Sequence, residues 1–146
     1  MTGSNWKTIV VVDDDADVLL ALKRRLRGAG WDVLTASNGT EALNLARNTT
    51  VDAITLDVAM PGDVDGLEVA SALSRDPQTA QIPIIFVTGI ADAHFKEKCE
   101  AVGGKYFLSK PYDADLLVRL LKSIFGQDEL AEIKKISEAR RRQPVK

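Results

Sequence analysis

The chain has 146 residues, 45% of them apolar and 27% charged, which is the size and composition of one ordinary globular domain. No stretch approaches the roughly 18 apolar residues of a membrane span, and the first residues lack the apolar core of a signal peptide, so we expect a cytoplasmic protein without a membrane partner. One cysteine and one histidine exclude an internal disulfide and a zinc cluster, so any bound metal must sit on oxygen atoms.

The charge of the chain is unevenly distributed. The net charge is −2, but residues 134–146 hold six basic residues and one acidic residue, a net of +5, whereas the other 133 residues hold 13 basic and 20 acidic residues, a net of −7. An acidic body with a basic tail does not fit a domain that binds nucleic acid by itself. We interpret the tail as a solvated, fraying segment.

Five short apolar runs rich in β-branched residues are predicted to be strands, and a stretch with the apolar spacing of a helix follows each of them. The predicted strands cover residues 8–12, 32–36, 52–56, 83–87 and 105–108, and the helical spacing covers 18–26, 42–46, 67–73, 95–102 and 116–124. Residues 127–142 form a further helical candidate with a thin apolar stripe.

The strict strand-helix alternation predicts an α/β fold, a doubly wound parallel sheet with helices on both faces. The first and fourth strands are nearly all apolar, as buried central strands are, whereas Asp32 and Thr35 place the second strand nearer an edge. Asn38 and Asp113 are predicted helix caps. Gly28 or Gly30 is predicted to end the first helix, and Gly126 the fifth. We expect one domain at 1–126 and a helical or disordered basic tail at 127–146.

Polar residues gather where these strands end, which is where ligands bind in an open parallel sheet. Asp13 and Asp14 follow the first run, Asp57 the third, Thr88 the fourth and Lys110 the fifth. Carboxylates about 4 Å apart repel by roughly 1 to 4 kcal/mol, and a divalent cation removes that cost. Mg²⁺ fits best, because it takes one or two carboxylates and completes its shell with water and phosphate oxygens. Lys110 can bind a phosphoryl oxygen as a point charge.

The same residues suit phosphoryl transfer. The Asp57 carboxylate can attack a phosphoryl group and form an acyl phosphate, and the Thr88 hydroxyl can donate to a phosphoryl oxygen. Because such transfer depends mostly on positioning and electrostatics, no general base is needed.

Four segments together resemble the receiver domains of two-component response regulators, and the resemblance covers about residues 7 to 126. They are IVVVDDD at 9–15, LDVAMPG with VDG at 56–66, PIIFVTG at 83–89 and YFLSKPYD at 106–113. The resemblance implies a flavodoxin-like (βα)5 fold with strand order 2-1-3-4-5. It also implies a single-domain, chemotaxis-regulator-like protein that is no enzyme beyond catalysing its own phosphorylation and slow dephosphorylation.

Particular roles are also implied by the resemblance alone. Asp57 would accept phosphate from a histidine kinase or phosphotransfer protein, and Asp14, Asp57 and the carbonyl of Ala59 would bind Mg²⁺, with Asp13 in support. The Lys110-Pro111 bond would be cis. The partner that reads the switch is an unknown downstream protein, and a homodimer through the fourth helix, fifth strand and fifth helix is compatible with the pattern. The residues implied as the switch are Thr88 and Phe107, with Lys110 paired to Thr88.

The sequence departs from the family pattern in the loop after Asp57, which has one extra residue between Pro61 and Gly66, so this loop is expected to bulge. Ala59 and Ile90 stand where polar residues are common in the family. Apolar side chains at those two positions would position a hydrolytic water poorly, so a long-lived phosphorylated state is expected.

Three other functions remain open from the sequence. A phosphatase of the dehalogenase type would also use an aspartyl nucleophile, but it has a second Asp two residues later, where this chain has Ala59. A flavodoxin-like binding module would place an anion after the first strand, where three aspartates would repel it. A receiver-like interaction domain that is never phosphorylated is the third, and the intact acidic set argues against it.

Overall fold

The structure is a computed structural model that describes residues 6–58, 65–89, 93–127 and 137, without the side chains of residues 93–96. Five strands and five helices alternate within these ranges. The strands are β1 (Thr8–Val12), β2 (Asp32–Ala36), β3 (Ala53–Asp57), β4 (Ile84–Thr88) and β5 (Tyr106–Ser109). The helices are α1 (Ala16–Gly28), α2 (Gly39–Asn48), α3 (Gly66–Arg75), α4 (Ala93–Ala101) and α5 (Ala114–Ile124).

The strands form one parallel sheet in the order β2-β1-β3-β4-β5, as predicted. Every residue of β3 and β4 is buried, and in β1 only the first residue is partly accessible, since these strands lie inside the sheet. The outer strands β2 and β5 mix buried and accessible positions, which confirms the edge position expected for the second strand.

The last three strands begin and end one residue later than predicted. β3 extends to Asp57 and β4 extends to Thr88, because Asp57 pairs with Val87 and Thr88 pairs with Ser109 in the sheet. At the other end of β3, the carboxylate of Asp52 accepts a hydrogen bond from the backbone N–H of Thr8 at 2.8 Å. Asp57 and Thr88 are therefore the last residues of their strands, held by the sheet.

The predicted helix caps are confirmed. Asn38 accepts a hydrogen bond from the N–H of Glu41 at 2.9 Å, and Asp113 accepts one from the N–H of Asp115 at 2.9 Å. The Glu41 carboxylate accepts a hydrogen bond from the N–H of Ser37 at 2.9 Å, which completes the N-terminal cap of α2. The first helix ends at Gly28, the earlier of the two glycines expected to stop it.

One apolar cluster fills the face of the sheet covered by α2 and α3. It joins alternate residues of the central strands, such as Val10 and Val12, to Val69 and Leu73 of α3. The intervening strand residues, such as Ile9, point to the opposite face and are equally buried. Both faces of the sheet are therefore covered, and the polar strand ends stand at the edge of a rigid core.

The chain divides into two compact units, Met1–Tyr112 and Asp113–Lys146. The first holds all five strands and α1 to α4, and the second holds α5, in which Leu117, Val118 and Leu121 are buried. The predicted helical segment 127–142 lies outside the described residues except for positions 127 and 137, and the boundary at 126 stays a prediction. Among the described helices, none has the length and apolar character needed to cross a membrane.

Candidate functional site

Asp57 lies at the end of the central strand β3, with only 3% of its surface exposed. Its backbone pairs with Val87 of β4, and the N–H of the next residue, Val58, donates to the Val87 carbonyl at 3.1 Å. The position of the carboxylate is thus set by a strand that is paired on both sides.

Two more carboxylates lie beside Asp57, at the turn between β1 and α1. Asp13 is buried, its N–H donates to the carbonyl of Ala36 at 3.1 Å, and its Oδ1 accepts from the N–H of Asp15 at 2.9 Å. Asp14 is exposed. One carboxylate oxygen from each of Asp13, Asp14 and Asp57 lies within 4.8 Å of the other two.

Lys110 brings a positive charge to this cluster from the end of β5. Its backbone N–H donates to the carbonyl of Thr88 at 2.8 Å, and the following Lys110-Pro111 bond is cis, as predicted. Its ammonium donates to Oδ2 of Asp57 at 2.9 Å and lies 4.0 Å from Oδ2 of Asp13. The Lys110 side chain is 40% exposed, so the site opens to solvent on the lysine side.

The electrostatics of the site reflect an excess of negative charge. Burial raises the pKa of Asp13 above its usual value, the N–H of Asp15 works against this, and the charge of Asp57 raises the pKa further. Burial alone would lower the pKa of Lys110, but the hydrogen bond and charge of Asp57, followed by the charge of Asp13, outweigh burial and raise it. Lys110 therefore stays charged at neutral pH.

The donor set fits Mg²⁺. The three oxygens are hard donors that lie within 4.8 Å of one another. Small shifts of these side chains would bring them to the separations of about 3 to 4 Å found between oxygens that share one octahedral Mg²⁺. The lysine alone leaves the acidic group with a net negative charge, which a divalent cation would offset. Among the described residues, Asp13, Asp14 and Asp57 could hold the ion. Asp14 and Asp57 are two of the three expected ligands, and the third, Ala59, lies outside the described residues.

Thr88 and Phe107, the expected switch residues, lie in neighbouring strands. Thr88 is buried at the end of β4, one residue beyond the partner of Asp57. Phe107 is half-buried, and its ring stacks on that of Phe86 with 5.8 Å between centroids and 19° between planes. The structure thus places Thr88 at the rim of the site and Phe107 on a buried aromatic neighbour.

Two residues near the site were not predicted as part of it. Burial raises the pKa of Tyr112, and the negative charges of Asp13 and Asp57 raise it further, whereas the positive charge of Lys110 lowers it. The phenol therefore lies within the electric field of the site. The position of Tyr112, two residues after Lys110, is the feature of the sequence that could have indicated its place near the site. Gly66 lies against the backbone of Asp57, and only the approach of α3 to β3 reveals that contact.

Comparison with known proteins agrees with this geometry. Residues 9–122 match the family model of the response regulator receiver domain. The chain is 31% identical to the polar-differentiation response regulator DivK of Brucella anthropi over 82% of its own length and 97% of DivK, and 31% identical to PilH of Pseudomonas aeruginosa over 81% and 97%. It is 36% identical to the transcriptional regulatory protein PrrA of Mycobacterium leprae, but over only 52% of that protein.

Solved structures give the same result for the fold. The chemotaxis response regulator CheY4 of Vibrio cholerae superposes with a TM-score of 0.77 at 30% identity, over 82% of this chain and 99% of CheY4. A receiver domain protein from Methanospirillum hungatei superposes with a TM-score of 0.75 at 26% identity, over 84% and 97%. The strand order, the acidic cluster and these similarities agree, and the chain belongs to the response regulator receiver domain family.

Proposed function

We propose that this receiver domain accepts a phosphoryl group on Asp57 from a phosphorylated histidine kinase or phosphotransfer protein, and that Mg²⁺ is required. One observation carries the proposal: the nearly buried Asp57 carboxylate is hydrogen-bonded to Lys110 at 2.9 Å, with the carboxylates of Asp13 and Asp14 beside it. A nucleophile, a cation and two further carboxylates able to help hold a metal ion therefore lie together at one edge of the sheet.

In the proposed reaction, a carboxylate oxygen of Asp57 attacks the phosphorus atom of a phosphohistidine. The new bond is the O–P bond of an acyl phosphate, and the bond that breaks is the P–N bond, whose electrons stay on the imidazole nitrogen. A carboxylate has no proton to lose, so the step needs no general base.

The chain's own residues stabilise the charge that develops during transfer. The Lys110 ammonium lies close enough to move from Asp57 to a phosphoryl oxygen, and the hydroxyl of Thr88 would donate to another. Asp14, Asp57 and the Ala59 carbonyl would hold Mg²⁺, with Asp13 in support. When bound, Mg²⁺ would neutralise charge on the carboxylates and on the phosphoryl oxygens.

Phosphorylation would act as a switch, because a phosphoryl group on Asp57 binds Thr88 and Lys110 better in one conformation than in another, and only such a difference shifts a population. Phe107 would report the change through the orientation of its ring. Residues 1–126 would form the receiver domain, and a downstream protein or a second copy of the chain would read the switch.

The proposal is tested by incubating the protein with acetyl phosphate and Mg²⁺ and measuring its intact mass. The wild type should gain one phosphoryl group, Asp57→Asn should gain none, and removal of Mg²⁺ with EDTA should prevent uptake. Asp52→Asn is the matched control, because Asp52 precedes the other end of the same strand and bonds only to Thr8 among the contacts described. It should be phosphorylated normally.

The same proteins, assayed with a small phosphate ester as well as with acetyl phosphate, separate the rival functions. Continuous hydrolysis of a small phosphate ester would indicate a phosphatase, and a wild type that takes up no phosphoryl group in Mg²⁺ would indicate a domain that works unphosphorylated. Either result would overturn the proposal.

A further inference from the structure

Gly66, the first residue of α3, packs against the peptide that follows Asp57. A Cβ at position 66 would lie 2.8 Å from the carbonyl oxygen of Asp57 and 2.8 Å from Cα of Val58, whereas real Cβ atoms essentially never approach another atom within 3.0 Å. Because both contacts are to backbone atoms, neither can rotate away as a side chain would. Only glycine permits this approach.

Both sides of the contact are held in place. On the strand side, the N–H of Val58 donates to the carbonyl of Val87 at 3.1 Å. On the helix side, Asp65 caps α3 by accepting from the N–H of Glu68 at 2.8 Å, and the helix buries three apolar side chains. The contact therefore fixes where the Asp57–Val58 peptide lies relative to α3. The buried side chains are Val69, Ala70 and Leu73.

We propose that Gly66 is a positioning residue for the phosphoacceptor: by letting the first turn of α3 rest on the Asp57–Val58 peptide, it holds the Asp57 carboxylate at its bond to Lys110. The side chain and the carbonyl of Asp57 share one Cα, so displacing the carbonyl reorients the carboxylate. A methyl group at position 66 would require the Asp57–Val58 peptide and the helix to move apart by about 0.6 Å, the difference between 2.8 Å and an ordinary contact of 3.4 Å. The kinetic consequence rests on the proposed function.

The first test is Gly66→Ala, with phosphoryl uptake from acetyl phosphate measured at saturating Mg²⁺. Uptake should slow by roughly tenfold, since misplacement by 1 Å can cost about 10²-fold. Gly28→Ala is the matched control, because a Cβ at position 28 would meet no atom within 4 Å outside its chain neighbours and its own helix backbone, and its rate should stay that of the wild type. Alanine forms helix better than glycine, so helix propensity alone predicts no loss at position 66.

A second readout needs neither phosphate nor metal. The ¹³C signal of the Asp57 carboxylate should shift in Gly66→Ala and stay in place in Gly28→Ala. If the wild type takes up no phosphoryl group, the proposed function fails. The positioning role of Gly66 is then judged only from the ¹³C signal of the Asp57 carboxylate. An unmoved signal would overturn the role, as would a wild-type uptake rate in a folded Gly66→Ala protein.

If Gly66→Ala does not fold, Asp65→Ala tests the same contact without adding an atom. Loss of the Asp65 cap loosens the first turn of α3, so the Asp57 carboxylate signal should shift. Asn38→Ala removes the equivalent cap of α2 and should leave that signal unchanged. The proposal would be contradicted if the Asp57 carboxylate signal did not shift in Asp65→Ala, or if it shifted equally in Asp65→Ala and Asn38→Ala.

Discussion

The ammonium of Lys110 and the carboxylate of Asp57, 53 positions apart in the chain, are joined by a hydrogen bond of 2.9 Å. The backbone of Lys110 is bonded to the carbonyl of Thr88, which places the root of its side chain beside β4. Asp57 is nearly buried while the lysine is part-exposed. The cation therefore approaches the carboxylate from the solvent side of the site.

Removing the Lys110 charge should slow the chemistry. Lys110→Met keeps much of the side-chain length but loses the ammonium, and phosphoryl uptake from acetyl phosphate should fall by about 10²-fold, the usual cost of losing one preorganised charge-stabilising donor. Lys105→Met, which changes an exposed lysine just before β5, is the control and should keep the wild-type rate. Equal rates in the two variants would show that Lys110 takes no part in transfer.

The raised pKa of Asp13 predicts how stability depends on pH. A carboxyl whose pKa is higher in the folded protein than its usual 3.8 stabilises the fold below about pH 4, and this contribution is lost as the pH rises through the folded value. Asp13→Asn keeps an acceptor for the N–H of Asp15 but has no charge. Without divalent cations, the variant should be more stable than the wild type at pH 7 by about 1 kcal/mol.

Urea denaturation at pH 7 and at pH 4 checks this expectation, since the advantage of Asp13→Asn should shrink towards zero in acid. A variant less stable than the wild type at pH 7 would mean that the Asp13 charge stabilises the fold.

Mg²⁺ should stabilise the wild type through the acidic cluster. A ligand that binds only the folded state at 100 times its Kd adds about 2.7 kcal/mol to the free energy of unfolding. The gain in Asp57→Asn should be much smaller, because one of the three carboxylates is gone. Urea midpoints with Mg²⁺ and with EDTA measure the gain, and identical midpoints for the wild type in both would argue against a metal site.

The stacked pair Phe86 and Phe107 should show an interaction energy in a double-mutant cycle. With both residues changed to leucine singly and together, we expect a coupling of about 0.5 to 1.5 kcal/mol in the free energy of unfolding. Tyr106 is the control partner, because adjacent strand residues point to opposite faces, so its coupling to Phe86 should be near zero. Similar coupling in both cycles would mean that the stacking is not specific.

The lifetime of the phosphorylated form is a prediction from sequence alone. With apolar residues at Ala59 and Ile90, the acyl phosphate should persist well beyond seconds in Mg²⁺, and Ala59→Asn should shorten its half-life. Following the phosphorylated mass over time after removal of the donor measures both. A wild-type half-life of seconds would contradict the expectation.

The alternation of strands and helices and the polar residues at the strand ends could be predicted because they depend on local patterns, whereas the strand order was expected from the family resemblance. Apolar runs and helical spacing determine the alternation, and parallel strands bring their carboxyl ends to one edge. The structure agrees for Asp13, Asp14, Asp57 and Lys110, which it brings together. Strand limits were less accurate, because the ladder extends to Asp57 and Thr88 through pairing that residue composition does not show.

Contacts that depend on strand register or on how closely a helix packs on a strand could not be predicted from composition or periodicity. The stacking of Phe86 on Phe107 depends on the register of β4 and β5, which pairs these residues directly. The approach of Gly66 to Asp57 depends on how closely α3 packs on β3, and the sequence indicates only that a glycine begins the helix.

Locating the transferred phosphoryl group tests the central claim most directly. Borohydride reduces an aspartyl phosphate to homoserine, so protein treated with acetyl phosphate and Mg²⁺, then reduced and digested, can be read residue by residue by mass spectrometry. The account predicts homoserine at position 57 and at no other aspartate. Homoserine at Asp13 or Asp14 with Asp57 unmodified, or at no position, would contradict it.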